Sequence, residues 1–176
     1  MVDLRRVFRG LGSLVLAASA LLLLGAPARA APAARAARVL VDKRAHTLTL
    51  FDGRGDVIAV FPVSLGPGGS GPKQREGDMR TPVGRYHVTM HQPSVYKVFL
   101  RLDYPNREDW ARFRRLEREG ELPKGARIGG DIGIHGGTAP SLRGQDWTLG
   151  CVAVDDAQIA EIARLVPDGT VVDIEE

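Results

Sequence analysis

The sequence has almost no cysteine: Cys151 is the one cysteine among 176 residues. A lone thiol cannot form a disulfide within the chain, so the fold must be stable without one. The sequence also has no visible internal repeat with a period of 20–50 residues. A lone cysteine that does not serve as a crosslink is a candidate for chemistry.

A long hydrophobic run is also missing. The longest apolar stretch extends from Leu11 to Leu24, which is short of the roughly 20 residues that span a bilayer. Arg5, Arg6 and Arg9 precede it, and Ala28-Arg29-Ala30 follows. A basic start, an apolar centre and a small-x-small end predict a signal peptide over residues 1–30, cleaved after Ala30, and an exported protein in the periplasm or cell envelope. An uncleaved membrane anchor is the alternative, and the sequence leaves Sec and twin-arginine export open.

Beyond the predicted signal peptide, the sequence has no excess of either charge. Residues 31–176 contain 20 basic and 20 acidic residues, so the pI of 9.3 largely reflects residues 1–30. This balance argues against nucleic acid as a partner. We predict a short tether over residues 31–37 and a single domain over residues 38–176, which is long enough for a real core.

Strand signals dominate this domain. β-branched residues and Asp-Gly turns predict strands at 38–43, 46–51, 57–65, 83–90 and 170–174. Two short helices are expected. Asn106 caps the first, which places Trp110, Phe113 and Leu116 on one face and ends at Gly120. Asp155 starts the second, with Gln158 completing a capping box.

Cys151 and His135 are the candidates for chemistry. A histidine within hydrogen-bond reach of a cysteine can remove the thiol proton, and its imidazolium can then stabilise the thiolate. The two residues are 16 positions apart, so they can meet only through the fold. The apolar runs at 131–134 and 152–154 predict adjacent strands that bring both side chains to one site. The alternative for Cys151 is a small buried apolar residue.

Glycines flank both candidates. Gly150 permits a sharp turn in which its amide and that of Cys151 can point at an oxyanion. Gly136 and Gly137 leave room for substrate, and a backbone carbonyl there can orient the imidazole. No Asp or Asn is an obvious third member of the site.

Two other functions find little support in the sequence. The Gly/Pro-rich loop from Gly66 to Pro82 is long enough to be functional, but no Ser or Thr follows Lys73, so it does not match a nucleotide-binding P-loop. The remaining histidines lack the short ligand spacings of zinc sites, and we expect neither a metal nor a cofactor.

Several blocks of the sequence resemble the L,D-transpeptidase catalytic domain, the YkuD family, over about residues 38–174. They are Val41-Asp42-Lys43, Gly77-Asp78-Met79-Arg80-Thr81-Pro82-Val83-Gly84-Arg85-Tyr86, Asp103-Tyr104-Pro105-Asn106, Ile134-His135-Gly136 and Thr148-Leu149-Gly150-Cys151. The resemblance implies a mainly β, sandwich-like domain of mixed sheets with two short helices.

The resemblance also implies a function. Cys151 would be the nucleophile and His135 the base, with the carbonyl of Gly136 orienting the ring. The substrate would be a peptidoglycan stem peptide, which is attacked beside its terminal D-alanine to form a thioester and then a 3→3 cross-link. Carbapenems would acylate the same cysteine, and no cofactor would be needed. We further expect substrate contacts from the side chains or backbone of Arg80, Tyr86, Gly137 and Thr148.

The sequence departs from the common family pattern at two positions. Leu149 stands where many members have histidine, and Ala153 where many have arginine or asparagine, as in a subset with Gly-Cys-x-Ala. Arg80 and Arg85 are candidates for compensating positive charge. Transfer is therefore one of three alternatives. The others are hydrolysis, by a carboxypeptidase or by an amidase acting on the link to an anchored lipoprotein, and a non-catalytic wall-binding module.

Overall fold

The structure is a computed structural model that describes residues 35–176. The predicted signal peptide and the predicted cleavage site at Ala30 lie outside the described residues. Ala36, in the predicted tether, is buried, and its amide donates to the carbonyl of Leu165 at 2.8 Å. The amide of Ala37 likewise donates to Phe51 at 2.8 Å. These two residues are therefore held against the domain.

The described chain forms eight strands and two α-helices. The strands are β1 (Arg38–Asp42), β2 (Thr47–Phe51), β3 (Val57–Pro62), β4 (Gly84–Ser94), β5 (Lys97–Leu102), β6 (Gly133–His135), β7 (Val152–Ala153) and β8 (Val171–Glu175). The helices are α1 (Arg107–Arg118) and α2 (Asp156–Leu165), and a short 3-10 helix covers Pro140–Leu142. The expected fold class, mainly β with two short helices, is confirmed.

All eight strands belong to one mixed sheet with the order β3-β2-β1-β8-β4-β5-β6-β7. Strand β1 is parallel to β8 and β6 is parallel to β7, whereas the other neighbours are antiparallel. The sheet curls so far that its two ends meet. Ser64, just after β3, pairs with Ala153 in β7 through two hydrogen bonds of 2.8 Å. This closure fixes the segment that carries Cys151.

Both helices begin at the predicted caps. The Asn106 side chain accepts from the amides of Glu108 and Asp109, and Asp155 and Gln158 form the expected capping box. Helix α2 packs against β5 and buries Ile159, Ile162 and Leu165. Each such burial contributes about 1.5–3 kcal/mol relative to an exposed side chain, so α2 is a firm support behind the sheet.

The structure corrects the predicted strands in three places. Strand β5 was not predicted, β4 continues to Ser94 rather than ending at Met90, and β3 ends at Pro62 rather than at Leu65. Trp110, expected on the core face of α1, is 40% exposed, whereas Phe113 and Leu116 are buried. Within residues 35–176, no helix has both the length and the apolar character needed to cross a membrane.

Candidate active site

The parallel pairing of β6 and β7 brings His135 and Cys151 to one place. Ile134 lies opposite Val152 and His135 opposite Ala153, which confirms the predicted adjacency of the two strands. Cys151 immediately precedes β7. The amide of Thr148 donates to the carbonyl of Leu65 at 3.1 Å, so hydrogen bonds to the segment after β3 hold the turn before the cysteine as well as the strand after it.

His135 and Cys151 both line a cavity of about 760 Å³. Its walls come from the Gly66–Pro82 loop, the β4–β5 hairpin, the segment before β6 and the turn before β7. Its lining includes Lys73, Tyr96, Phe99, Asp131, Trp147, Thr148 and Leu149. A cavity of this size can hold a short peptide segment next to the thiol.

The imidazole of His135 is buried, with 3% of the residue exposed. Its Nδ1 lies 2.6 Å from the carbonyl oxygen of Gly136. A carbonyl oxygen can only accept, so Nδ1 carries the proton and Nε2 is left with a free lone pair. Burial lowers the pKa of His135, and the hydrogen bond to Gly136 offsets this only in part. At neutral pH the ring is therefore a neutral base.

Three aromatic rings surround the imidazole. Tyr96 stacks on it with ring centroids 4.7 Å apart, and Phe99 is nearly parallel at 5.9 Å. Trp147 presents an edge at 5.8 Å. These rings exclude water from the histidine and account for its burial. Sequence reasoning missed all three, because Tyr96 and Phe99 reach the histidine on the β4–β5 hairpin and Trp147 reaches it from the turn before β7.

Cys151 is partly exposed and is a free thiol. Its Sγ donates to the carbonyl of Asp131 at 3.5 Å. Burial raises the pKa of the Cys151 thiol, and the negative charge of Asp131 acts in the same direction. The amide of Gly133 and the positive charge of Lys73 act in the opposite direction. The resting pair is therefore a neutral thiol and a neutral imidazole, because burial disfavours the charged form of each group.

The turn before Cys151 is closed by Thr148. Its hydroxyl donates to the Cys151 carbonyl at 2.8 Å and accepts from the Gly150 amide at 3.2 Å. The Gly150 amide is thus engaged within the turn, which corrects its predicted role as an oxyanion donor. The amide of Cys151 itself remains the candidate donor. Gly150 has φ +130°, and a side chain there would lie 2.6 Å from the carbonyl oxygen of Arg80.

Only one of the four residues predicted to contact substrate lines the cavity. Thr148 lines the cavity, but Arg80, Tyr86 and Gly137 do not. Tyr86 is fully buried and donates its hydroxyl to Asp109 at 3.1 Å, so it is a core residue, which corrects the predicted contact.

Arg80 and Gly137 have local partners. Arg80 Nε donates to the carbonyl of Gly68 at 3.1 Å and braces the Gly66–Pro82 loop. The Gly137 amide donates to Asp156 at 3.0 Å, and a side chain at Gly137 would strike the Tyr96 ring at 2.5 Å. Arg85, the other candidate for compensating charge, forms an ion pair with Asp173.

The two departures from the family pattern occupy different environments. Leu149 is 76% exposed and lines the cavity. Ala153 is fully buried in β7 and does not line it. Of the two, Leu149 is therefore the one positioned to meet a substrate. No cluster of three metal-ligating side chains occurs among residues 35–176.

The fold and the site together define a class of protein: a curled β-sheet domain with a thiol and a buried imidazole in one cavity. Comparison with known families gives this class a name. The family model of the L,D-transpeptidase catalytic domain, YkuD, matches residues 36–174, and the chain belongs to this family. A search of curated proteins found no match.

Solved structures share the fold. The helical cell shape determining protein Pgp2 from Campylobacter jejuni (K307A mutant) is 24% identical with a TM-score of 0.60, covering 82% of this chain and 48% of its own. An L,D-transpeptidase from Xylanimonas cellulosilytica is 22% identical with a TM-score of 0.51, covering 84% and 64%.

A third similar structure, L,D-transpeptidase 3 from Mycobacterium tuberculosis, is in complex with a faropenem-derived adduct. It is 16% identical with a TM-score of 0.53, covering 80% of this chain and 60% of its own. The chain therefore spans between about half and two-thirds of the length of these solved chains.

Proposed function

We propose that this chain is an exported L,D-transpeptidase that uses Cys151 to form 3→3 cross-links between peptidoglycan stem peptides. One observation carries the proposal: in a member of the YkuD family, the paired strands β6 and β7 place His135 and Cys151 at one cavity of about 760 Å³. The neutral imidazole, with its proton held on Nδ1 by Gly136, has the form required of a general base.

In the acylation step, Nε2 of His135 takes the thiol proton as Sγ attacks the carbonyl that precedes the terminal D-alanine. The tetrahedral oxyanion is stabilised by the amide of Cys151. When the intermediate collapses, the C–N bond breaks, and the imidazolium gives its proton to the leaving amine of D-alanine. A thioester on Cys151 and free D-alanine result.

In the transfer step, the side-chain amine of a diaminopimelate residue in a neighbouring stem attacks the thioester. His135 accepts a proton from this amine, and the thiolate leaves as the new amide bond forms. Cys151 then recovers its proton from the imidazolium. Water in place of the amine would give hydrolysis instead, so the choice between transfer and hydrolysis depends on which nucleophile the cavity admits.

The exposed face of Leu149 supports contact with an apolar part of the donor or acceptor stem. Thr148 shapes the turn, because its hydroxyl proton is donated to the Cys151 carbonyl and one of its lone pairs accepts from the Gly150 amide. We propose export on the basis of the three-part pattern of residues 1–30, and peptidoglycan as the partner on the basis of family membership.

The test is incubation of the purified protein with disaccharide-tetrapeptides, followed by mass spectrometry of the products. Dimers linked 3→3, absent with Cys151→Ala, are expected. Tripeptides without dimers would identify a hydrolase. Unchanged substrate would contradict both enzymes and favour a wall-binding module, and a lipoprotein-linked stem as substrate would reveal an amidase.

A second measurement addresses the nucleophile alone. We propose that carbapenems acylate Cys151, which intact-protein mass will show as an adduct with the mass of the drug. The adduct is expected to be lost in Cys151→Ala. Survival of the adduct in that variant would exclude Cys151 as the nucleophile.

A further inference from the structure

Lys73 is a buried lysine in the wall of the cavity. Its side chain is 3% exposed, and its ammonium donates to Asp78 Oδ1 at 2.7 Å. A Cβ placed on Gly150 would lie 3.4 Å from Lys73 Nζ, so the ammonium lies beside the turn that carries Cys151. A buried charge is costly unless an opposite charge meets it, which makes the position of this lysine informative.

Asp78, which binds the ammonium, is itself held by backbone amides of its loop. Its carboxylate accepts from the amides of Gln74 at 2.7 Å, Arg75 at 3.1 Å and Arg80 at 3.0 Å, in addition to Lys73. Burial raises the pKa of Asp78, but these hydrogen bonds outweigh burial and the pKa is lowered overall. Asp78 is therefore a carboxylate at neutral pH and keeps Lys73 aimed at the cavity.

The ammonium retains donors for another anion. Among residues 35–176, Asp78 is its one hydrogen-bond acceptor, although an ammonium has three N–H groups. The neighbouring Gly150 has no side chain that would cover the remaining donors. The site thus presents a fixed positive charge beside the residue that precedes the thiol.

The histidine does not provide such a charge at rest. Its ring is enclosed by Tyr96, Phe99 and Trp147, and it becomes positive only after it has taken the proton of Cys151. Without another cation, the thiolate would form in a partly buried place that disfavours negative charge.

We propose that Lys73 is the fixed cation that stabilises the thiolate of Cys151, with Asp78 as the residue that positions it. The inference rests on the proposed role of Cys151 as the nucleophile. The Gly66–Pro82 loop would then take part in the reaction, because it carries both Lys73 and Asp78.

The experiment measures the rate at which iodoacetamide alkylates Cys151 in the purified full chain, as a function of pH. Iodoacetamide is uncharged, so Lys73 cannot attract the reagent itself. In Lys73→Gln we expect the midpoint of the profile to move to higher pH and the rate at pH 7 to fall about tenfold, since an opposite charge nearby lowers a pKa by roughly one unit or more. Lys73→Arg keeps the charge and should stay close to the parent protein.

Lys43→Gln is the matched control. Lys43 is also a buried lysine in an ion pair, with Glu176, and it also contacts the loop through the carbonyl of Gly71 at 3.1 Å, but it does not line the cavity. Its profile should superimpose on that of the parent protein. If Lys73→Gln does not fold, the double variant Lys73→Gln/Asp78→Asn removes both charges and is measured in its place.

A profile of the folded Lys73 variant that superimposes on the parent profile would overturn the inference. The proposed function is judged separately, by the products formed from disaccharide-tetrapeptides. If the parent protein forms cross-links and the profile of the Lys73 variant is unshifted, only the proposed role of Lys73 is rejected. If the profile shifts but the parent protein forms no product, the transpeptidase function is rejected and the role of Lys73 stands.

Discussion

The imidazole of His135 lies against the ring of Tyr96, with ring centroids 4.7 Å apart and planes 26° apart. Tyr96 also accepts the amide hydrogen of Gly136 on its backbone carbonyl at 3.1 Å. One residue at the tip of the β4–β5 hairpin therefore covers the histidine with its ring and holds the next residue with its backbone. The hairpin and the histidine therefore form one structural unit.

Removal of the Tyr96 ring should raise the pKa of His135. In Tyr96→Ala, water reaches the imidazole, and the desolvation that lowers its pKa is reduced. NMR titration of the histidine ring signals will measure the change. Tyr96→Phe keeps the ring and should leave the titration in place. An unchanged His135 titration in Tyr96→Ala would show that the stack does not control protonation.

The stability of the domain should depend on pH through His135. Its pKa is lowered from 6.5 in the folded state, so between the two values the unfolded chain binds more protons. The free energy of unfolding therefore rises with pH in that window and falls as the pH drops below 6.5, by at most about 1.4 kcal/mol per pH unit for one group. Above pH 7.5 His135 is neutral in both the folded and the unfolded state, so it no longer makes the free energy of unfolding depend on pH.

Urea unfolding of the parent protein and of His135→Gln between pH 5 and 8 will measure the contribution of His135 to this pH dependence. The difference in unfolding free energy between the two proteins should be constant above about pH 7.5. Below pH 6.5 the parent protein should lose stability relative to His135→Gln. A difference that stays constant over the whole range would mean that His135 titrates alike in both states.

The sequence predicted the elements that have local signals. Asn106 and Asp155 marked both helix starts, and the apolar runs around His135 and Cys151 predicted that β6 and β7 are adjacent strands. The β4–β5 hairpin was missed because its turn places Lys97 at φ +72° without the glycine or asparagine that usually marks such a position.

What depends on that hairpin was missed with it. The aromatic enclosure of His135 exists only because the hairpin carries Tyr96 and Phe99 to the site. The burial of Lys73 has a similar origin: a lysine in a glycine-rich loop is normally solvated, and nothing local shows that Asp78 and Gly150 enclose it. No short stretch of sequence predicts contacts between segments that are distant along the chain.

Gly136 should tolerate no side chain. A Cβ at this position would lie 2.7 Å from the carbonyl oxygen of Tyr96, 2.8 Å from Ile159 and 2.9 Å from Asp156. Gly136→Ala must shift the backbone whose carbonyl holds Nδ1 of His135, at a cost of about 1–3 kcal/mol in stability and with a large loss of activity.

Thermal unfolding and product formation will measure both effects of Gly136→Ala. Gly53→Ala is the matched control, because no atom lies within 4 Å of a Cβ placed at Gly53. Full activity in Gly136→Ala would show that the orientation of the imidazole does not depend on this carbonyl.

The Thr148 hydroxyl should be essential to the turn that presents Cys151. Thr148→Val has nearly the same shape but leaves the buried Gly150 amide without its acceptor and the Cys151 carbonyl without its donor. An unsatisfied buried group costs about 1–3 kcal/mol, so the turn relaxes. The rate of alkylation of Cys151 and the rate of product formation should both change as a result. We expect at least a tenfold loss of product formation, with Thr148→Ser restoring most of it because serine keeps the hydroxyl. Equal activity of the valine and serine variants would show that packing of the side chain, and not its hydroxyl, maintains the turn.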